Sequence, residues 1–395
     1  MTDQSTALIH HPYKPPAGFE SVQPGVYRAS TIVFPSVAAL RNRDWKHKTG
    51  YTYGLHGTPT TFTLEERIAT LEGGKFCTLV PSGLAAVVLV GMALLKSGDE
   101  LLIPDNAYGP NKAFANAELA AWGITHQFYD PMNPADLASK LSVKTRLVWL
   151  EAPGSITLEF PDLPALVAAV KAHADCHPQG IVTALDNTWG AGIAFNAFKL
   201  GADISAHALT KYPSGGADVL MGSVVTNDAT LHHFINTCHM RVGYGVAGND
   251  CELVLRGLNS MALRYAAQDV STRALATWLQ GQPPIATVLH PALAGSPGHE
   301  VFKRDCSAAA CLLSVVFKPG YSQAQVDGFC DNLKLFKLGY SWAGPMSLCA
   351  PYDIPAIRRQ PWPYTGGLVR FSVGLEAVED LQADLAQALA LMHYS

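Results

Sequence analysis

This sequence is poor in charge. Asp, Glu, Lys and Arg make up 15% of its 395 residues, against about 25% in ordinary soluble proteins. Little solvated surface fits a chain that covers part of itself with neighbouring copies. The charges present nearly balance, 28 basic against 32 acidic for a net −4. No basic block stands out, so nucleic acid is not an expected partner. Long apolar runs are also missing. The longest, Ala85 to Leu95, is about half the roughly 20 residues a membrane helix needs, so it reads as a buried helix. Met1 to His11 has no charged stretch leading into an apolar one, and no secretory leader is expected. There are eight cysteines but no Cys-x-x-Cys pair, so no zinc site is expected. They read as small apolar fillers in a reducing cytoplasm. Cys176-His177 and Cys238-His239 invite a metal, but helical neighbours point about 100° apart and do not share one ion.

Apolar residues reach 48%, enough for a large core, and the length suits two or three domains. Residues 1–58 are rich in Pro, Tyr and Thr and read as an extended arm, wrapping a partner subunit. Residues 59–250 alternate strand and helix patterns: a helix over 62–71, strands at 76–80, 100–104, 146–151, 181–186 and 219–225, and helices over 112–122 and 163–174. This predicts an α/β fold with a mostly parallel sheet covered on both faces. Ligands of such sheets sit beyond the carboxyl ends of the strands. Residues 251–395 read as a smaller C-terminal α/β domain. A long helix over 250–280 leads to strands at 286–289, 312–317 and 368–373, with helices over 323–332 and 378–393.

Several residues carry chemistry at those strand ends. Lys211 follows the apolar run Ala206-His-Ala-Leu-Thr210, and Asp186 ends an earlier one. A lysine that condenses with an aldehyde and an aspartate that keeps a pyridine nitrogen protonated are what pyridoxal phosphate chemistry requires. Taken singly, each has a plainer reading: Thr-Lys as a solvated strand end, and the aspartate as a helix cap. Pro81-Ser-Gly-Leu84 is a strand-to-helix turn whose Gly83 and Leu84 N–H groups suit a phosphate dianion; the alternative is an ordinary Ser82 cap. Arg370 lies within the apolar strand Gly367–Gly374, costly unless paired. A substrate carboxylate would satisfy it, and so would a structural Asp or Glu. Tyr108 is an aromatic after a strand end. Ser341, Trp342 and Tyr53 are groups of the kind that line an amino-acid pocket.

The motifs together resemble the cystathionine lyase/synthase family of pyridoxal-phosphate enzymes, nearly end to end. They are Tyr51-Thr-Tyr-Gly-Leu-His-Gly-Thr-Pro-Thr60, Leu71-Glu-Gly-Gly74, Asn106-Ala-Tyr108, Glu151-Ala-Pro-Gly-Ser-Ile-Thr-Leu-Glu159, Asp186-Asn-Thr-Trp-Gly190, Thr210-Lys-Tyr212 and Tyr340-Ser-Trp342. The 151–159 segment is similar to that of the branch acting at Cβ. The resemblance implies the type I pyridoxal-phosphate (aspartate-aminotransferase-like) fold, the cofactor pyridoxal 5'-phosphate, and a cytoplasmic homotetramer with shared sites. It implies α,β-elimination of L-cystathionine to homocysteine, pyruvate and ammonia. A relative acting at Cγ and a non-catalytic scaffold are the alternatives. By resemblance Lys211 is the anchoring base, Asp186 the ring-nitrogen partner and Tyr108 the ring-stacking tyrosine. Gly83, Leu84 and Thr210 hold the phosphate. Tyr53 reaches the phosphate of a neighbouring subunit and lies near substrate, and Arg370, Ser341 and Trp342 bind substrate. Where the family usually has a phosphate-binding arginine, this chain has Leu55, followed by His56.

Overall fold

Seven short apolar runs pair into one sheet in the computed structural model of the chain, which describes residues 4–11, 16–19, 21–48 and 50–392. They are β1 (Phe76–Val80), β2 (Glu100–Pro104), β3 (Thr125–Tyr129), β4 (Thr145–Glu151), β5 (Val182–Asp186), β6 (Ile204–His207) and β7 (Gly222–Thr226). Their order is β1-β7-β6-β5-β4-β2-β3. β6, β5, β4, β2 and β3 run parallel to one another, and β7 is antiparallel to both its neighbours. β4 is buried along its whole length, as a strand covered on both faces must be. Its residues alternate between two cores. Val148 and Leu150 join Leu79, Leu102 and Leu185 on one side; Leu147 and Trp149 join Val80, Leu101 and Ala184 on the other.

A second sheet comprises β8 (Ile285–Leu289), β9 (Leu312–Phe317), β10 (Lys337–Leu338), β11 (Leu348–Tyr352) and β12 (Leu368–Ser372). Its order is β10-β11-β12-β9-β8, antiparallel except at β10/β11. The helix Gly248–Leu279 links the two sheets through its packing. Its first half buries Val254, Leu255, Leu258 and Met261 in the core of the first sheet, and its end buries Leu275, Ala276 and Leu279 in that of the second. No helix among the described residues is long and apolar enough to cross a membrane.

The helix Pro59–Glu72 feeds the site. Thr58 caps its start, accepting from Thr61 N, and proline fills its first turn. Gly73, at φ 74°, stops it in the left-handed region; a side chain there would also collide with Asn196.

Three expectations need correction. The 1–58 arm is not wholly extended: helices form at Gln4–Ile9 and Val37–Arg41. Its residues 1–3, 12–15, 20 and 49 lie outside the described residues, as does 393 at the end of the expected last helix. The helix expected over 112–122 begins at Gly109 and is π-wound from Ala115 to Leu119, a local change of winding that side-chain periodicity does not report. Lys211 is not at a strand end. β6 stops at His207, and Lys211 sits in the turn that follows, with its N–H on Ala208 O and its carbonyl on Gly215 N.

Candidate active site

The carboxyl ends of β1, β2, β4, β5 and β6 open into one cavity of about 640 Å³, in the size range of small-molecule sites. Ser82, Gly83, Leu84, Tyr108, Glu151, Asp186, Thr210, Lys211, Ser341, Trp342 and Arg370 all line it. Residues far apart in sequence thus converge. Tyr53 does not line it. It stands on the arm, 46% exposed, before a short 3₁₀ turn at Gly54–His56. Leu55 and His56 are also outside the cavity of their own chain. Leu55 packs toward Gly245, while His56 bonds Thr52 Oγ1 at 2.9 Å and stacks on Trp45.

Lys211 Nζ donates to Ser341 Oγ at 2.6 Å and lies 5.3 Å from the Trp342 ring centroid. Burial, with the Arg370 charge second, pulls its ammonium down to about 8. Ser341 reaches it from a backbone with φ 134°, a strained geometry of the sort kept at functional sites. Asp186 is half-buried at the end of β5, and loss of solvent raises its carboxyl, with Thr188 hydrogen bonds pulling the other way. Thr188 N meets Asp186 Oδ1 at 3.0 Å. A cationic ring nitrogen is the partner that would return it to the carboxylate form.

The helix Gly83–Leu94 points its N-terminus into the cavity. Ser82 Oγ takes Ala85 N at 3.0 Å, leaving the N–H groups of Gly83 and Leu84 without helical acceptors. A Cβ on Gly83 would stand 2.5 Å from Ala208 Cβ, so only glycine lets the cradle close on the Lys211 turn. The Thr210 hydroxyl is tied to Met221, donating to its carbonyl and accepting from its N–H; it fixes the turn as well as lining the cavity.

Arg370 is 6% exposed, and among the described residues no carboxylate pairs with it. Nη1 donates to Ser155 O at 3.1 Å, and the guanidinium lies over Tyr352. That leaves it available for a substrate carboxylate.

The sequence gives other residues at the site no role; it marks Glu151 only as lying at a strand end on the ligand side of the sheet, and does not single out the rest. Glu151 accepts Tyr108 N at 2.8 Å and so holds the loop that carries the tyrosine ring. Burial, then the neighbouring Asp186, pushes its carboxyl well up. Tyr352, Ile354, Ile357 and Arg358 also line the cavity. Arg358 is paired with Glu159, 199 positions earlier, a separation no local pattern reveals.

These features fit pyridoxal 5'-phosphate: a lysine amine of lowered basicity, a half-buried carboxyl in want of a cation, a half-exposed tyrosine, and a free helix N-terminus whose glycine admits no side chain. They define an enzyme site for amino acids. The chain belongs to the Cys/Met metabolism PLP-dependent enzymes, whose family profile matches residues 5–390. It is 39% identical to cystathionine beta-lyase of Bordetella avium, over 98% of this chain and 99% of that one. It is 38% identical to cystathionine beta-lyase of Escherichia coli K12, over 92% of each. Among solved structures it is similar to cystathionine gamma synthase from Xanthomonas oryzae pv. oryzae, with TM-score 0.87, 29% identity, and 99% and 98% coverage of the two chains. The fold is the type I pyridoxal-phosphate architecture, and the cofactor is pyridoxal 5'-phosphate.

Proposed function

We propose that this enzyme is a carbon–sulfur lyase that cleaves L-cystathionine by α,β-elimination to homocysteine and a three-carbon fragment that takes up one water to give pyruvate and ammonia. The observation that carries the reading is Lys211: a half-buried amine, lowered to about 8, in one cavity with Asp186 and with Arg370, which pairs with no carboxylate among the described residues. The similarity to proteins named cystathionine beta-lyase supports the same choice.

When bound, pyridoxal phosphate supplies an aldehyde for the substrate amine and a ring that takes up the electron pair released at Cα. The chain supplies the rest. Gly83 and Leu84 N–H groups, with Thr210, would hold the phosphate, Asp186 the ring nitrogen, and Tyr108 the ring face. Arg370, with Ser341 and Trp342 beside it, would grip the α-carboxylate and so turn the Cα–H bond toward Lys211. Lys211 Nζ takes the Cα proton as its base form. The sulfur then departs from Cβ with the Cβ–S electron pair, and the Lys211 ammonium or the Tyr108 hydroxyl returns a proton to it. Loss from Cβ needs one proton removed from carbon, whereas loss from Cγ needs a second at Cβ.

The exposure of the arm supports a homo-oligomer. Tyr53 and several large apolar arm residues stand exposed, Val22 and Val33 nearly fully. Eight cysteines, all free, suit a reducing cytoplasm. Incubation with L-cystathionine and identification of the keto acid tests the reaction. Pyruvate is expected; 2-oxobutyrate would assign the chain to the γ-acting relatives.

A further inference from the structure

Two guanidinium groups line the cavity, and the reaction at Cα and Cβ uses only one. Arg370 is the α-carboxylate grip. Arg358 is held apart from it by a hydrogen-bonded wall. Arg370 Nη1 donates to Ser155 O, Ser155 N donates to Asn106 O, Asn106 Nδ2 donates to Glu159 Oε2, and Glu159 accepts Arg358 Nη1.

Arg358 is unusually well fixed for a long side chain. Nη1 meets both Glu159 oxygens, at 2.8 and 2.9 Å; Nε donates to Gln360 O at 3.2 Å; and Cζ lies 5.4 Å from the Trp362 ring centroid. Its backbone is pinned too. Lys112 Nζ donates to Ile357 O at 2.7 Å, and Asp105 Oδ2 accepts from Arg359 N and Gln360 N at 2.8 and 2.6 Å. Glu159 is itself aimed by Asn106 Nδ2 and Thr157 Oγ1, at 2.9 and 3.0 Å. Among the described residues no partner meets Nη2. The side chain is only 9% exposed yet lines the cavity. A buried guanidinium edge with its donors unused is an anion-recognition group.

We propose that Arg358 reads a second carboxylate, the one at the far end of the thioether substrate, and that Glu159 positions it. The inference rests on the proposed elimination and specifies its substrate class: cysteine thioethers whose sulfur substituent ends in a carboxylate, as cystathionine does, rather than S-alkyl or S-aminoalkyl cysteines. An ammonium at the far end gains nothing from Arg358. Glu159 already accepts from three side chains and does not line the cavity.

The test compares L-cystathionine with S-(3-aminopropyl)-L-cysteine, which has the same thioether and amine but lacks the distal carboxylate. In Arg358→Met holoenzyme the ratio of kcat/KM for cystathionine to that for the aminopropyl compound is expected to fall about tenfold or more, mainly through the cystathionine KM. Arg358→Lys keeps a cation for Glu159 but has no second N–H arm. It is read by the same ratio should the methionine variant fold poorly. A ratio within about twofold of wild type in the variant that folds overturns the assignment. So does a wild-type enzyme that forms pyruvate from the aminopropyl compound and none from cystathionine, which leaves the elimination itself standing. No pyruvate from either substrate in wild type removes the proposed reaction, and this inference with it.

Discussion

A lysine amine serves as a base only where something discourages it from holding its proton. At Lys211 that is burial first and the Arg370 charge second. The sign follows directly. Both effects favour the neutral amine, so the base form is present above a pH of about 8, where an ordinary lysine, near 10.4, is still protonated. In cofactor-free protein the rate at which Lys211 captures an aldehyde is expected to rise with a midpoint near 8. Arg370→Met removes one of the two causes and moves that midpoint upward. A wild-type midpoint near the ordinary lysine value would show that the amine is solvated and the cavity open. Lys211, Asp186 and Arg370 were legible in the sequence for one reason: each is a charge placed in or at the end of an apolar run, where it costs free energy unless a ligand answers it. Arg358 and Glu159 carry the same signature only as a pair, and the pair forms across 199 positions.

At the scale of elements, the site depends on a carboxylate that never touches it. Glu72, at the end of the helix Pro59–Glu72, is fully buried. It accepts from Asn187 Nδ2 at 2.6 Å, Ser205 Oγ at 2.7 Å and His207 Nδ1 at 2.7 Å. Asn187 directly follows Asp186 at the end of β5, and Ser205 and His207 lie on β6, which leads to Lys211. One side chain therefore ties the strand that ends in Asp186 to the strand that leads to Lys211, the residues proposed as ring-nitrogen partner and base. Glu72→Ala leaves three buried donors without an acceptor, at about 1–3 kcal/mol each. A loss of at least about 3 kcal/mol is expected, seen as an earlier urea midpoint with an unchanged slope. An unshifted midpoint would show that water replaces the carboxylate. The strands and helices of this region were legible because apolar periodicity and strand-end residues mark them, as at Phe76–Val80 and Leu312–Phe317. β3, with its polar Thr125-His-Gln127, was not, since at a sheet edge the apolar signal is diluted. The π-wound stretch Ala115–Leu119 was not either, because its residues read as ordinary helix.

For the whole molecule the open matter is what covers the arm. Tyr53 is exposed and absent from the cavity of its own chain, while family resemblance assigns it to a phosphate and substrate pocket. Both hold if each cavity is completed by the Tyr53 of a neighbouring copy, as a two-fold assembly allows. The sequence hinted at this through its low charge and the Pro- and Tyr-rich opening, but a pattern within one chain does not say which copy a side chain serves. Complementation between two crippled variants does. Lys211→Ala destroys its own site but still offers an intact Tyr53. Tyr53→Ala keeps Lys211 but offers its neighbour nothing. If Tyr53 acts across the interface, a hybrid pair contains one complete site, made of Lys211 from one chain and Tyr53 from the other. Random reassembly of an equal mixture makes half the pairs hybrid, each with one good site of two, so roughly a quarter of wild-type activity should return. If Tyr53 acts within its own chain, no hybrid has a complete site, and the mixture stays as inactive as the average of its parents. Denaturing the two variants together, refolding them with cofactor and measuring pyruvate against each variant refolded alone separates the two outcomes. Activity no higher than that average, in a preparation shown by mass to contain hybrids, would mean that the arm folds back on its own cavity.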